Sequence, residues 1–537
     1  MTSLRCRITG GDFDSAGIAT RKLKEHLARL GVDAAVMRRA MIASYEAEMN
    51  VVIHASTGTL WARVDAERLD LEISDEGPGI PNVELALREG WSTASAKARE
   101  MGFGAGMGLP NIQRNSDRFE IETRVGRGTR IRSSIRLRGS QALAEVPAPG
   151  AFPLACSSSA CTACLRCLFA CPTAALRVRE RGPSVIEGRC IGCGECATAC
   201  SHMGFAMADA GAEVAPQSVI IVPRGFFYGL PARLGPARVL GALAALGFEV
   251  RFLEEWEESA RAEVRRMALD ASVMRPVIVP VCPAAVALIE ASFPSLIPNL
   301  APLRFPIEAA GEDFPLRPAA LVAACPAQLQ VASQGTLTER LTVLSPARLS
   351  ALVHAALASE PVRGSEPRLT SEPAIPGELR VTGARSVIRA LTQAETGVLK
   401  DVSVLEVALC DGGCSGSCYI CADPWLVGAA EREPHGQPPV ASVLPRHRPF
   451  ARRAGARLDD DMAEAMKKLA RIDELTRALP GRDCGVCGSP SCGALAEDVV
   501  LGRASAARCP YPRRAAAVTA APVTAARQPG TLQEEHP

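Results

Sequence analysis

Eight cysteines between Cys161 and Cys200 carry the densest chemistry in the sequence. They read CTACLRCLFAC and, after an 18-residue spacer, CIGCGECATAC. Each run has Cys-x-x-Cys-x-x-Cys-x-x-x-Cys spacing. Two-residue gaps let three thiolates reach three corners of one iron–sulfur cube, and a fourth must come from further away. Zinc sites use pairs of cysteines rather than an interleaved double run. Near the other end, Cys484, Cys487, Cys492 and Cys509 follow Cys-x-x-Cys-x4-Cys-x16-Cys, with Gly485 and Gly488 permitting tight turns. Zinc is the other reading of that spacing. Cys282, Cys325, Cys410 and Cys414 lie too far apart for a local motif. Early in the chain, Glu46 and Asn50 stand four apart, so a helix puts them on one face. They precede Asp75-Glu-Gly-Pro-Gly and a glycine-rich stretch, GFGAGMGLPNI, at Gly102–Ile112.

The Cys161–Cys200 stretch resembles a bacterial-type two-cluster ferredoxin, including Pro172 directly after Cys171. That resemblance implies crossed ligation: Cys161, Cys164, Cys167 and Cys200 hold one [4Fe–4S] cluster, and Cys190, Cys193, Cys196 and Cys171 hold the second. Cys156 falls outside the frame and reads as unligated. The terminal set resembles the small [4Fe–4S] module of electron-transport and hydrogenase-like sensor proteins, with Cys484, Cys487, Cys492 and Cys509 as ligands. Its GALAEDVVLGRA helix brings Cys509 back to the others.

Over residues 1–137 four features occur in order: Glu46-x-x-x-Asn50, Asp75-x-Gly77-x-Gly79, the loop Gly102–Gly108, and Gly128-Thr129. Taken singly, the glycines read as a turn and a flexible loop. Together the features resemble the GHKL ATPase superfamily, nearest its anti-sigma factor serine/threonine kinase branch. The resemblance implies ATP and Mg²⁺, with Asn50 coordinating the ion and Glu46 acting as general base toward a hydroxyl or water. Asp75 accepts the adenine amino group's hydrogen bond, and Thr129 closes the adenine pocket. Gly77, Gly79, Gly102, Gly104, Gly106 and Gly108 let backbone N–H groups approach phosphates. His54 reads as a packed polar residue and Cys6 as a small strand hydrophobe. No separate phosphoacceptor domain precedes this block, which argues against an ordinary histidine kinase.

The contexts of the dispersed cysteines, PVCPAAVALIEASFPSLIPNLAP, AACPAQ and EVALCDGGCSG, resemble in order the three cysteine motifs of the [FeFe]-hydrogenase catalytic domain. This implies a third cubane on Cys282, Cys325, Cys410 and Cys414, the last also bridging to the two-iron subsite. Four unrelated buried cysteines are the bare alternative. The sequence departs from that family at three places. Val281 replaces the proton-shuttling cysteine, Gln328 the cyanide-pairing lysine, and Val331 the carboxylate beyond it. Valine relays no proton, and an amide does not offset a bound anion as an ammonium does. The cubane is expected; the departures count against the two-iron subsite of the H-cluster and against hydrogen turnover. Cys418 and Cys421 form a further Cys-x-x-Cys, open as alternative ligands or a dithiol.

Composition narrows the rest. A chain of 537 residues is long enough for three or four domains. Net charge of +2 and 4% aromatics give no footprint for nucleic acid or an anionic membrane. The most apolar stretch, Pro276–Ile289, is short and carries three prolines, so no span is expected. Twenty cysteines and an N-terminus without an apolar core point to metal, reduced thiols and the cytoplasm.

The expected architecture is multidomain, α/β and α+β: a GHKL α/β sandwich, a ferredoxin-like bis-cluster module, a hydrogenase-like α/β domain and a small helical Fe–S module. The boundaries are 1–137 for the ATPase, 138–155 for a linker, 156–215 for the ferredoxin and 216–430 for the hydrogenase-like domain. A linker and helix at 431–475, a cluster module at 476–512 and a disordered tail at 513–537 follow. Leu458–Leu479 reads as a connector helix or a short dimerising coil, so a homodimer is compatible with the sequence. SEP recurs at Ser359, Ser365 and Ser371 in a proline-rich exposed loop. This order resembles redox- or hydrogen-sensing signalling proteins related to [FeFe]-hydrogenase. It implies four [4Fe–4S] clusters whose state controls a serine/threonine kinase. The kinase acts on a regulatory partner of the anti-anti-sigma type, or sequesters a sigma factor, and a redox partner serves the clusters. The alternative is an oxidoreductase, hydrogenase-like or an ATP-gated electron carrier.

Overall fold

The computed structural model describes residues 1–94, 106–137, 154–156, 160–180, 182–202, 204–207, 214–215, 217–230, 234–333, 341–359, 375–420, 441–453 and 457–511. The N-terminal unit is built on five strands: β1 (Thr2–Thr9), β2 (Thr57–Val64), β3 (Arg68–Asp75), β4 (Arg118–Arg124) and β5 (Gly128–Arg136). They form one antiparallel sheet in the order β1-β2-β3-β5-β4. Alternation at period two assigns the faces: Leu60, Ala62 and Val64 are buried while Trp61 and Arg63 are exposed. Helices α1 (Ile18–Arg29) and α2 (Ala34–His54) cover the buried face, with Leu23, Leu27, Met37 and Met41 in the core. Cys6 is a buried member of β1.

Carboxylates account for both helix starts, one local and one distant. Asp33 accepts hydrogen bonds from the Ala35 and Val36 N–H groups and begins α2. α1 has no side-chain cap of its own. Buried Glu48 of α2 serves instead, accepting from the N–H groups of Gly17, Ala19 and Thr20 and from the Thr20 hydroxyl at 2.7–3.0 Å. A carboxylate there satisfies orphan donors and complements the helix dipole.

Two short antiparallel pairs follow. β6 (Leu154–Cys156) pairs with β9 (Phe205–Met207), and enclosed between them in sequence β7 (Leu176–Arg179) pairs with β8 (Gly182–Val185). Strand β6 therefore begins within the stretch expected as linker, because its partner lies about fifty residues away and no local pattern announces it.

The stretch expected to be hydrogenase-like holds two parallel sheets, as its α/β alternation requires. One is built from β10 (Val219–Val222), β11 (Glu249–Phe252), β13 (Ala319–Val322) and β14 (Leu341–Leu344), in the order β11-β10-β13-β14. The other is built from β12 (Val277–Val279), β15 (Glu378–Thr382) and β16 (Val404–Ala408), in the order β12-β16-β15. Ser365 and Ser371 of the SEP repeat, and the tail from 513, lie outside the described residues.

The C-terminal helix Met462–Ala478 returns to the beginning of the chain. Asp461 caps it. Ala465, Met466, Leu469, Ile472 and Leu475 form its apolar stripe and join the same core as α1, α2 and the N-terminal sheet. That stripe is covered within the chain, so it is not the seam of a dimerising coil. The basic segment before it docks as well: Arg452 donates to the Val32 and Ala28 carbonyls, and Leu458 N–H to the Arg29 carbonyl. The Ala28 and Arg29 carbonyls belong to the last turn of α1, and Val32 lies just beyond it.

The helix Cys492–Val500 then acts as a keystone. Its Asp498, fully buried, receives Arg177 in a bidentate pair at 2.5 and 3.0 Å and Arg179 at 2.9 Å. Its Glu497 pairs with Arg189 of the ferredoxin-like stretch and lies 3.9 Å from Arg29 of α1. Gly488 has φ +77°, and a Cβ there would meet the Val178 carbonyl oxygen at 1.7 Å, so backbone packs directly on β7. Removing one partner of a buried pair leaves the others unpaired, at about 3–5 kcal/mol. Asp498→Ala is therefore expected to release the terminal module. Limited proteolysis should cut near residues 480–511 in the variant and spare the parent chain; equal resistance would refute the keystone role. Among the described residues, no helix is long and apolar enough to cross a membrane.

Candidate functional site

A cavity of about 450 Å³ opens where α2, the end of β3 and the start of β5 meet the helix Gly108–Arg114. Glu46, Asn50, Asp75, Gly79, Gly106, Gly108 and Thr129, all expected as site residues, line it. Gly77 sits beside it and donates its N–H to Asp75 Oδ1 at 2.8 Å. Gly102 and Gly104 lie outside the described residues.

The two ends of the cleft differ chemically. At one end, Asp75 Oδ1 also accepts from Thr129 N–H at 3.2 Å. Both bonds fall on one oxygen, so among the described residues the other oxygen is uncommitted and suits an exocyclic amine. Burial pushes the Asp75 carboxyl up, opposed by those two backbone donors and by His54. Gly128 has φ +87°, and a Cβ there would stand 2.0 Å from the Asp75 carbonyl, so only glycine fits this strand start. Apolar Met49, Ile53 and Ile131 complete a wall that suits an aromatic base.

At the other end, Asn111 Nδ2 donates to Glu46 Oε1 at 2.6 Å. Burial raises the Glu46 carboxyl first, while the Asn111 hydrogen bond and the charge of Lys400 lower it. A Cβ on Gly108 would lie 3.1 Å from Asn50 Oδ1 and 3.4 Å from Glu46 Oε2. The glycine keeps that space open for a phosphate and an oxygen-seeking cation. The residues present thus fit ATP with Mg²⁺: Asn50 offers the side-chain oxygen, and Glu46 stands one helical turn away. His54 lines the same cleft at an exposed position, not packed as expected, with desolvation lowering its pKa and Asp75 raising it.

The cysteines gather in quartets. Cys161, Cys164, Cys167 and Cys200 line one small, largely apolar cavity, and Cys171, Cys190, Cys193 and Cys196 line another. Cys200 thus lies with the first run and Cys171 with the second. Burial first, then repulsion from Cys200, Cys161 and Cys164, pushes the Cys167 thiol up to about 11. Cys282, Cys325, Cys410 and Cys414 repel one another in the same way in a deeply buried site. Thiols crowded like this are stable only when protonated or when metal compensates their charge, which suits iron–sulfur clusters. The two ferredoxin-like quartets surround cavities, and among the described residues no three or more His, Cys, Asp or Glu converge on a single-ion site. In the terminal module, Cys492 opens a helix and Cys509 follows the short 3₁₀ turn Ala506–Arg508. Cys487, Cys492 and Cys509 are partly buried against the hydrophobic core that the C-terminal helices share with the N-terminal unit.

The hydrogenase-type departures are packed, not vacant. Gln328 is buried, accepts from Ala324 N–H at 2.8 Å and turns its amide toward Cys414 Sγ at 3.7 Å. Val281 is a core residue, and Val331 packs against the core. Cys418 lies between two quartets: a Cβ on Gly194 would be 2.5 Å from its Sγ, and its charge acts on both Cys196 and Cys410. Cys421 lies outside the described residues.

Comparison with known proteins bears on each part. Residues 37–139 match the histidine kinase-, DNA gyrase B- and HSP90-like ATPase family, residues 160–205 the 4Fe-4S dicluster domain, and residues 479–511 an Fe-S cluster family. The serine/threonine-protein kinase RsbT of Bacillus subtilis (strain 168) is 30% identical over 126 residues, which are 22% of this chain and 89% of that protein. The chain belongs to the RsbT family of serine/threonine-protein kinases. Membership resides in the N-terminal unit. An anti-sigma F factor of Thermoanaerobacter sp. (strain X514) is 32% identical over 92 residues, 16% of this chain and 61% of that protein. The chain thus spans about three fifths of that relative. An [FeFe]-hydrogenase structure aligns at 16% identity and a TM-score of 0.29, over 39% of this chain and 82% of that one. A mycobacterial sensor histidine kinase, MprB, aligns at 19% identity and a TM-score of 0.16, over 19% of this chain and 72% of that one. The RsbT-family kinase domain is therefore joined in one chain to iron–sulfur domains.

Sequence reasoning missed several participants. Asn111 lies inside the quoted glycine stretch, yet only the folded helix shows it bonded to Glu46. Glu48, two residues from Glu46, faces the opposite way and holds α1. Thr396–Asp401 of a distant segment also reach the cleft.

Proposed function

We propose that this protein is an iron–sulfur redox sensor whose clusters regulate an ATP-dependent serine/threonine kinase domain acting on a regulatory protein partner. The names of the kinase and anti-sigma relatives point to a partner of the anti-anti-sigma or sigma type. Four [4Fe–4S] clusters and Mg²⁺-ATP are the cofactors of this reading. The observation that carries it is the packing of the terminal cysteine module against the kinase core. Cys487, Cys492 and Cys509 pack against a hydrophobic cluster that holds Leu23 and Leu27 together with the C-terminal helices, and Glu497 lies between Arg29 and Arg189. A one-electron change at a cluster alters a conformational equilibrium only through its different interaction with two states. Packing through shared core residues supplies such a difference.

Allosteric coupling of about 1–3 kcal/mol corresponds to about 5–150-fold in affinity. ATP affinity or phosphotransfer is therefore expected to differ by that order between dithionite-reduced and oxidised protein, titrated anaerobically with labelled ATP and candidate partners. Identical values in both states would overturn redox control.

A second reading has its own support. Cys167 feels the charge of Cys200 while Cys196 feels Cys167, and Cys410 feels Cys193, so three quartets adjoin in series. That series suits electron transfer, gated by ATP. Electron delivery to an acceptor that depends on ATP, without phosphotransfer to protein, would favour it. Hydrogen evolution from reduced dye is expected to be absent in either case, given Val281, Gln328 and Val331.

A further inference from the structure

One wall of the nucleotide cleft does not come from the N-terminal unit. Thr396, Gly397, Val398, Lys400 and Asp401 line it. They lie between the helix Ala384–Glu395 and strand β16. This segment is anchored on both sides. Before it, buried Glu395 pairs with Lys24 of α1 at 2.5 Å and accepts from the Ser295 hydroxyl. Lys24 also stands 3.3 Å over the Phe293 ring. After it, β16 is held between β12 and β15 and ends two residues before Cys410. The approach of the segment to the cleft is thus built into the interface.

Charge identifies what the segment contributes. Among the described residues lining the cleft, Lys400 is the one lysine or arginine, whereas Glu46, Asp75 and Asp401 are carboxylates. A nucleoside triphosphate keeps net negative charge even with one Mg²⁺ bound. A cleft with three carboxylates repels it unless a cation stands at the phosphate end. The position of Lys400 meets that need. Its charge acts on Glu46, which borders the open space at Gly108 and Asn50, and is not among the influences on Asp75 at the base end. Lys400 is also exposed, with a long flexible stem that lets a compact ammonium meet a phosphate oxygen.

We propose that Lys400 binds the terminal phosphates of ATP, so that the segment leading into β16 completes the nucleotide site from outside the kinase unit. This rests on the reading of the cleft as an ATP site. It also gives the third quartet a route to that site: Cys410 and Lys400 flank one strand.

The test uses the full-length, anaerobically purified holoprotein and calorimetric binding of ATP, ADP and AMP in Mg²⁺ buffer. Lys400→Ala removes a charge-assisted hydrogen bond to phosphate, so it is expected to weaken ATP binding about tenfold or more, ADP binding less, and to leave AMP binding unchanged. Lys400→Arg is expected to retain most of the ATP affinity, since it keeps the charge. Iron content and circular dichroism equal to the parent's confirm that each variant is folded. Parent-like affinities of Lys400→Ala for all three nucleotides would overturn the proposal, as would an equal loss for AMP. Asn50→Ala separates the levels. If the parent binds ATP in an Asn50-dependent way and Lys400→Ala has no effect, the proposal alone fails. If the parent binds no ATP, or Asn50→Ala changes nothing, the reading of the cleft fails and the proposal falls with it.

Discussion

Asn50→Ala is expected to abolish Mg²⁺-dependent ATP binding, and Glu46→Ala to spare binding while lowering phosphotransfer by about 10²–10⁴-fold. The two residues share one face of α2 and border the same open space at Gly108, yet their chemistry differs. Asn50 offers a neutral oxygen that suits a hard cation. Glu46 offers a basic oxygen, held in place by Asn111 at 2.6 Å. Its pKa gives the sign of the pH dependence. Burial raises the carboxyl above its ordinary value, more than Asn111 and Lys400 lower it. A base works only when ionised, so phosphotransfer should rise with pH through that raised pKa and fall on acidification below it. The acid limb should vanish in Glu46→Ala. Rate profiles of the parent and variant under saturating ATP measure this. An unchanged limb in the variant, or full activity without the carboxylate, would remove Glu46 from the chemistry.

Anaerobic reconstitution is expected to yield about sixteen irons per chain, four cubanes on four cysteine quartets. Cys484→Ser should lower the count by about four irons and leave ATP binding at its parent value in the oxidised state. The redox effect on the nucleotide site should shrink in that variant, because the terminal module packs against the hydrophobic core that the kinase helices share. Metal analysis reads the first part directly. Iron near twelve with one zinc per chain would show that the terminal quartet is a zinc site, despite its match to an Fe-S cluster family. A count that falls by eight would instead show that loss of one cube unravels its neighbour through the Glu497 and Asp498 ion pairs.

The chemistry of the two ferredoxin-like quartets was legible because most of their cysteines sit in local runs, whereas the dispersed Cys282, Cys325, Cys410 and Cys414 showed no local motif and were read only through the contexts around them. Two-residue gaps around Cys161, Cys164 and Cys167 bring three sulfurs together whatever the rest of the chain does. The same holds for α2: Glu46 and Asn50 share a face by helix geometry alone, and Asp75 and the glycines after β3 carry a turn in their own residue types. The GHKL pattern and the alternating strands of the first 137 residues were therefore readable before any tertiary packing was known. The sequence of the C-terminal helix also announced an apolar stripe through Ala465, Leu469 and Ile472. A stripe at period 3.6 says that a helix must be covered, not by what. The cover turned out to be the N-terminal core, more than four hundred residues earlier in the chain. Only the tertiary structure decided that Asp498 pairs with Arg177, that Glu48 caps α1, and that Lys400 enters the cleft. Each places a charged side chain whose sequence neighbours are indifferent to where it goes. Such pairings form only after distant elements dock, and burial then makes them specific, since an unpaired charge there is costly.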